Sequence, residues 1–198
     1  KEIKKISKEL NWYPKTAKRI LDEWIDVVNI DWPISRRRFY ATPIPLWHSN
    51  NKIALPPEGK YYEPWKTQPP KNSEVYENKK KIGTLKDFPD EKWEGEIRVL
   101  DTWMDSSISA LYILQYKSDN TLFKKAYPVS LRPQGKEIIR TWLYYTLLRG
   151  FLETGKPAFQ DIWINQHIMD SKGRKMSKSL GNVIDPQKLL KEYGSEAI

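Results

Sequence analysis

The sequence predicts an α/β fold with a parallel sheet that is interrupted by a turn-rich insert. Strand-like and helix-like segments alternate through the second half of the chain, which is typical of parallel sheets covered by helices. An amphipathic helix is predicted over residues 14–28. Between Trp47 and Glu96, prolines and glycines are interleaved with lysines, so regular helix is not expected there.

Local patterns define the elements of the first half. The apolar side chains of residues 17–28 fall on one face of a helix, and Pro14 suits its first turn. An extended segment is predicted over residues 33–38. Within the insert, short strands are predicted at residues 53–55 and 82–85. The insert is expected to be held together by four aromatic residues, Tyr61, Tyr62, Trp65 and Trp93.

The second half alternates between the two kinds of element. Strands are predicted at residues 97–100, 129–131 and 161–169. Helices are predicted over residues 106–116, 136–153 and 186–192. Ser106 and Ser107 are candidate caps of the first of these helices, Gly155 supplies the stop signal of the second, and Asp185 is expected to cap the third. Residues 170–173 have turn chemistry.

Composition narrows the class of protein. The formal net charge of +9 favours polyanionic partners such as nucleic acids or nucleotides, although a lysine-rich surface that serves solubility is an equal alternative. The absence of cysteine excludes disulfides and thiolate zinc sites. His48 and His167 are too far apart in sequence to suggest a metal pair. No apolar run is long enough to span a membrane, so a cytoplasmic location is expected.

One basic motif carries recognisable chemistry, the run from Gly173 to Asn182. Arg174, Lys175 and Lys178 place three cations within five positions, and two serines lie beside them. Glycines on either side let the backbone bend. Such a loop can bring ammonium groups to a triphosphate, where positioned cations stabilise the charge that develops as pyrophosphate leaves. The alternative is a solvated basic turn without function.

Residues 175–179 read KMSKS, and this run resembles the signature of class I aminoacyl-tRNA synthetases. Other segments resemble the same family: residues 31–36, 97–111, 132–142, 175–186 and 193–197. The amino-acid sequences of residues 101–107 and 132–142 are most similar to the valyl branch in its archaeal form. The isoleucyl and leucyl branches are the nearest alternatives. A non-catalytic module that binds RNA is an alternative from another class.

The resemblance implies the C-terminal half of a Rossmann-like catalytic domain. By this resemblance, residues 1–47 re-enter that domain after an editing insert, residues 48–96 form an inserted subdomain, residues 97–170 complete the domain, and residues 171–198 carry the motif and a following helix. The implied substrates are ATP with Mg, L-valine and tRNA(Val), and the other domains of a longer synthetase are the implied partners. The HIGH motif of the family is absent, so this chain alone is expected not to activate valine.

The resemblance also implies roles for individual residues. The implied ATP-binding residues are Gly135, Glu137, Asn165, Lys175, Met176, Ser177, Lys178 and Ser179. Lys175 and Lys178 are the implied catalytic residues. The implied walls of the amino-acid pocket are Tyr40, Ile138 and Trp142, of which the last two lie on one face of the predicted helix.

Alternatives stay open for several of these residues. Glu137 is expected either to hold a ribose hydroxyl or to stabilise the first turn of its helix. Ile138 is expected to line the pocket or to pack in the core. Asn165 is expected to contact the adenine or to be a satisfied buried amide, and His167 is expected to be structural. Glu137 stands where valyl enzymes usually have aspartate, Gln166 replaces a glycine, and zinc is not expected because the chain has no cysteine.

Overall fold

The structure is a computed structural model that describes residues 2–198. The strands are β1 (Asn11–Tyr13), β2 (Ser35–Arg36), β3 (Trp47–Ser49), β4 (Lys52–Leu55), β5 (Glu74–Glu77), β6 (Lys80–Thr84), β7 (Glu94–Gly95), β8 (Val99–Leu100), β9 (Val129–Gly135) and β10 (Phe159–Asn165). The α-helices are α1 (Glu2–Glu9), α2 (Lys18–Val27), α3 (Thr102–Ser106), α4 (Ser109–Ile113), α5 (Asn120–Ala126), α6 (Tyr144–Thr154) and α7 (Pro186–Tyr193).

The main sheet is parallel, as the alternation of strands and helices predicts. Its order is β1-β10-β9, and both strand pairs run parallel. Helices cover it, and the core between them contains fully buried side chains such as Leu21, Leu143 and Ile162. The helix predicted over residues 14–28 is confirmed as α2, which is preceded by a 3₁₀ turn at Lys15–Ala17.

The insert forms a separate antiparallel sheet with the order β6-β5-β4-β3-β7. Both strands predicted within the insert are confirmed, as β4 and β6. Trp47, Ala54, Val75 and Trp93 form its buried core, and Tyr62 packs against them. The expectation that Tyr61 and Trp65 hold the insert is wrong, because they are 71% and 38% exposed. Trp47 takes the central position instead.

Two expected helices differ from the structure. The helix predicted over residues 106–116 is two short helices, α3 and α4, and the cap of α3 is not a serine. The carboxylate of Asp101 accepts a hydrogen bond from the backbone N–H of Trp103, and the helix starts at Thr102, four residues before the predicted start. The predicted 136–153 helix begins as a 3₁₀ turn at Lys136–Ile138 and a π segment at Ile139–Leu143, and only α6 is regular.

The ends of several elements follow from identifiable residues. Gly155 ends α6 in the left-handed region, with φ of 70°, and Asp185 caps α7 through the backbone N–H of Gln187, so both predictions are confirmed. β9 is longer than predicted and runs through Pro133. A proline is tolerated there because, among residues 2–198, β9 pairs only with β10. β10 ends at Asn165 rather than at Met169. α1, β1 and α5 were not predicted.

Candidate functional site

The carboxyl ends of the main strands place candidate residues side by side. Gly135 ends β9 and Asn165 ends β10, and the two are register partners. In open α/β sheets ligands bind beyond this edge. The alternative that Asn165 is a buried amide is wrong, because its side chain is exposed. The edge therefore presents an unburied amide next to a glycine.

A cleft of about 620 Å³ opens at the same edge. One wall is the turn that precedes α2 together with α2 itself, and the other contains Lys136, Glu137, Arg140 and His167. The cleft combines carboxylates, which accept hydrogen bonds from hydroxyl groups, with cations, which bind phosphates.

The Glu137 carboxylate folds back over Gly135. A Cβ atom added to Gly135 would lie 2.4 Å and 2.6 Å from the two carboxylate oxygens, Oε2 and Oε1. The imidazole Nε2 of His167 lies 3.3 Å from Oε2 of Glu137. The structure therefore brings together a glycine, a carboxylate and a histidine from two strand ends. Sequence reasoning found the first two but gave His167 only a structural role.

Asp170 and Asn182 give the basic loop its shape. The Asp170 carboxylate accepts hydrogen bonds from the backbone N–H of Lys172 at 3.0 Å and of Arg174 at 2.8 Å, and from Nδ2 of Asn182 at 2.9 Å. Oδ1 of Asn182 in turn accepts from the backbone N–H of Ser177 at 2.8 Å. These bonds join the two ends of the loop. The hydrogen bonds to its carboxylate lower the pKa of Asp170. The bond from Asn182 has the largest effect, and the bond from the Arg174 backbone has the next largest.

The cations of the loop are not equivalent. The guanidinium of Arg174 pairs with Asp170 at 2.9 Å, so its charge is engaged inside the loop. Lys175 and Lys178 are exposed, and neither forms an ion pair with any other residue that the structure describes. Of these three cations, only the two lysines are therefore available to an external anion. This distinction among three neighbouring cations could not be drawn from their spacing.

The remaining loop residues have local roles. The hydroxyl groups of Ser177 and Ser179 lie 2.8 Å apart, and the sulfur of Met176 accepts from the backbone N–H of Ile184 at 3.3 Å. Gly173 and Gly181 have φ of 70° and 62°, a conformation that favours glycine. The two serine hydroxyls lie on either side of Lys178 in the sequence, and Lys178 begins the 3₁₀ turn Lys178–Leu180.

The three implied pocket residues lie in different settings. Trp142 is only 6% exposed, and Ile138 packs against the same core. The Arg132 guanidinium lies 3.8 Å above the Trp142 ring. Tyr40 is 93% exposed and does not belong to that core. Ile138 and Trp142 do not lie in one regular α-helix, since one is in a 3₁₀ turn and the other in a π segment, yet both side chains meet the same core. Their pocket role stays a prediction.

Two segments that resemble the synthetase family contact each other in space. β2 pairs antiparallel with β8, and Arg36 forms an ion pair with the buried carboxylate of Asp101. The ring of Trp32 stacks on Tyr145 with 3.9 Å between centroids. The structure thus joins residues 31–36 to residues 97–107 through an ion pair that sequence reasoning did not identify.

Within residues 2–198, no group of three or more histidine, cysteine, aspartate or glutamate side chains is arranged to hold a metal ion. Over the same residues, no helix combines the length and the apolar character needed to cross a bilayer.

Comparison with known proteins identifies a family for the whole chain. The family model for the class I tRNA synthetases (I, L, M and V) matches residues 1–198. Two proteins named valine–tRNA ligase are among the relatives. The Nanoarchaeum equitans protein is 46% identical over 208 residues, which cover all of this chain and 25% of that protein. The Aeropyrum pernix protein is 44% identical over 197 residues, which cover 98% of this chain and 23% of that protein. The chain thus spans about a quarter of their length.

Solved structures agree on the fold. The ternary LeuRS–tRNA–LeuAMS complex of Agrobacterium radiobacter K84 agnB2 matches with a TM-score of 0.55 and 26% identity, over 84% of this chain and 23% of that chain. The methionyl-tRNA synthetase of Mycobacterium tuberculosis in complex with methionyl-adenylate matches with a TM-score of 0.53 and 21% identity. The match covers 93% of this chain and 27% of that chain. The predicted α/β class is confirmed.

Proposed function

The chain belongs to the class I tRNA synthetases, and from this premise we propose that it forms the part of a valine–tRNA ligase that binds ATP and L-valine and serves transfer of valine to tRNA(Val). The division of the chain into four segments, which end at residues 47, 96, 170 and 198, is part of the proposal. The observation that carries it is the basic loop, in which Asp170 engages Arg174 and leaves Lys175 and Lys178 free. Two mobile point charges suit a triphosphate.

The loop residues have distinct roles in the proposed reaction. The valine carboxylate attacks the α-phosphate of ATP, and pyrophosphate leaves. Lys178 stabilises the charge that develops on the phosphates in the transition state, and Lys175 supports the bound phosphates. Met176, Ser177 and Ser179 complete the phosphate contact. Mg²⁺ neutralises phosphate charge as part of the nucleotide substrate.

The strand ends serve the nucleoside. Gly135 and Asn165 adjoin the adenosine, and Glu137 accepts hydrogen bonds from the ribose because a carboxylate is a good acceptor for hydroxyl groups. Tyr40, Ile138 and Trp142 wall the aliphatic pocket. A pocket of this kind separates valine from bulkier side chains by excluding volume, but it rejects threonine poorly.

The amino-acid specificity is tested by ATP–pyrophosphate exchange in the full-length protein. We expect exchange with valine to exceed exchange with isoleucine and with leucine. A preference for isoleucine or leucine would contradict the valyl assignment but keep the reaction. Tight, salt-sensitive RNA binding without exchange for any amino acid would contradict the reaction itself and favour the RNA-binding alternative.

The role of the loop is tested by Lys178→Ala in the same assay. We expect the exchange rate to fall by about 10² to 10³, the usual effect of removing one transition-state donor, while the affinity for valine stays nearly unchanged. Lys188→Ala is the matched control, because Lys188 is an exposed lysine of α7. Equal exchange rates in the two variants would remove Lys178 from the mechanism.

A further inference from the structure

His167 lines the cleft and lies beside Glu137. It lies two residues beyond Asn165, and Asn165 is the register partner of Gly135. This pairing brings the imidazole Nε2 to 3.3 Å from Oε2 of Glu137. Among residues 2–198, His167 is the only basic residue within ion-pair distance of the Glu137 carboxylate.

Gly135 provides the space for this pair. Its φ of −73° and ψ of 150° are open to any residue, so the backbone conformation does not require glycine. Glycine leaves room for the carboxylate in this rotamer, because a Cβ atom would meet both oxygens of Glu137 at less than 2.7 Å. The carboxylate thus fills the volume that a side chain at position 135 would take.

From this geometry we propose that His167 is a positioning residue that holds the Glu137 carboxylate over Gly135 for the hydroxyl groups of a nucleotide sugar. The inference rests on the proposed function. A glutamate side chain loses rotamer freedom when it is held, and a partner that holds it before the ligand arrives removes that cost from binding. The side chains of Glu137 and His167 are 49% and 35% exposed, so a ligand reaches both from the cleft.

The chemistry of the pair selects the sugar rather than the phosphates. An ionised carboxylate accepts hydrogen bonds but donates none. It therefore matches hydroxyl donors and repels phosphate oxygens. His167 contacts Oε2, which leaves Oε1 to accept from the ligand. Removing one sugar hydroxyl should therefore weaken binding only as long as Glu137 is held in place.

The test compares the binding of ATP, 2′-deoxyATP and 3′-deoxyATP to the full-length protein by calorimetry. We expect wild type to bind at least one deoxynucleotide more weakly than ATP. His167→Ala should weaken ATP binding by at most about tenfold, the usual cost of ordering one flexible side chain, and leave binding of that deoxynucleotide unchanged. In exchange assays the KM for ATP should rise more than kcat falls, and His167→Gln, which keeps a donor, should restore most of the difference.

Two further variants complete the experiment. Glu137→Gln should lose the same discrimination, and adding His167→Ala to it should cost no more, because the two residues act as one unit. His48→Ala is the matched control, since His48 also pairs with a glutamate, Glu96, at 3.9 Å, but in the insert.

The inference is overturned if His167→Ala weakens all three nucleotides equally, or if wild type does not distinguish or does not bind them. Failure of the proposed function has a different signature. In that case wild type would show no valine-dependent exchange, whatever its discrimination between ATP and the deoxynucleotides.

Discussion

Asn182 shows how a single side chain sets the geometry of the basic loop. Its amide contacts the Asp170 carboxylate, the carbonyl oxygen of Lys175 and the backbone N–H of Ser177. One residue thus joins the start, middle and end of the loop. Because Lys175 and Ser177 are bonded through their backbones, the side chain of Lys175 stays free for a ligand.

Replacement of Asn182 by alanine should loosen the loop without changing the rest of the fold. Three hydrogen bonds are lost, each worth on the order of 1 kcal/mol. Exchange of the backbone amide hydrogens over residues 170–182 should become faster, and the ATP–pyrophosphate exchange rate of the full-length protein should fall at least about tenfold. Gln187→Ala, an exposed amide on α7, is the control. Unchanged hydrogen exchange in the loop would show that Asn182 does not shape it.

At the scale of elements, β7 depends on a close approach between backbones. A Cβ atom at Gly95 would lie 2.0 Å from the carbonyl oxygen of Pro64 and 2.2 Å from its carbonyl carbon. Pro64 begins a 3₁₀ turn and is buried. Since both contacts are with backbone atoms, a rotamer change cannot relieve them. The turn and the strand must separate if residue 95 has a side chain.

Gly95→Ala should therefore destabilise the insert. We expect the free energy of unfolding to fall by about 2–3 kcal/mol, the upper range for overpacking of a buried contact. Trp47 and Trp93, both buried in the insert, report the transition by fluorescence in a urea titration. Glu94→Ala, at the exposed neighbouring position, should leave the midpoint nearly unchanged. Equal midpoints for the two variants would contradict the close approach.

At the scale of the whole molecule, Glu96 lies where the insert rejoins the main body. Its backbone N–H donates to the carbonyl oxygen of Leu46 at 3.0 Å, and its buried carboxylate pairs with Arg98 and faces His48. Hydrogen bonding to Arg98, which outweighs the opposing effect of burial, lowers the pKa of Glu96 from its ordinary value of 4.5 to about 2. The carboxylate is thus more stable ionised in the folded state than in the unfolded chain.

Because of this pKa shift, the free energy of unfolding depends on pH in the acidic range. A carboxyl group whose pKa is lowered by folding contributes its full stabilisation above pH 4.5, and the contribution is lost as the pH falls toward about 2. At 1.36 kcal/mol per unit, the contribution is at most about 3 kcal/mol. Glu96→Gln should therefore destabilise the protein at pH 7 and do so progressively less below pH 4.5. Glu94→Gln is the control, and a pH-independent effect of Glu96→Gln would contradict the shift.

The sequence alone determined those features that depend on neighbouring residues. The parallel alternation, the end of α6 at Gly155, the cap of α7 at Asp185 and the basic chemistry of the loop each follow from a few adjacent side chains. Periodicity and capping act over one or two turns, so a single sequence contains the information they need.

The tertiary structure decided which distant groups meet. The pairing of Glu137 with His167, the contact of Arg36 with Asp101 and the exposure of Tyr40 depend on residues from 30 to 65 positions apart or on the packing of whole elements. Asp101 also started α3 earlier than the serine pattern predicted, because its carboxylate serves both a cap and an ion pair. Electrostatic and steric contacts act through space, and the spacing of residues along the chain does not encode them.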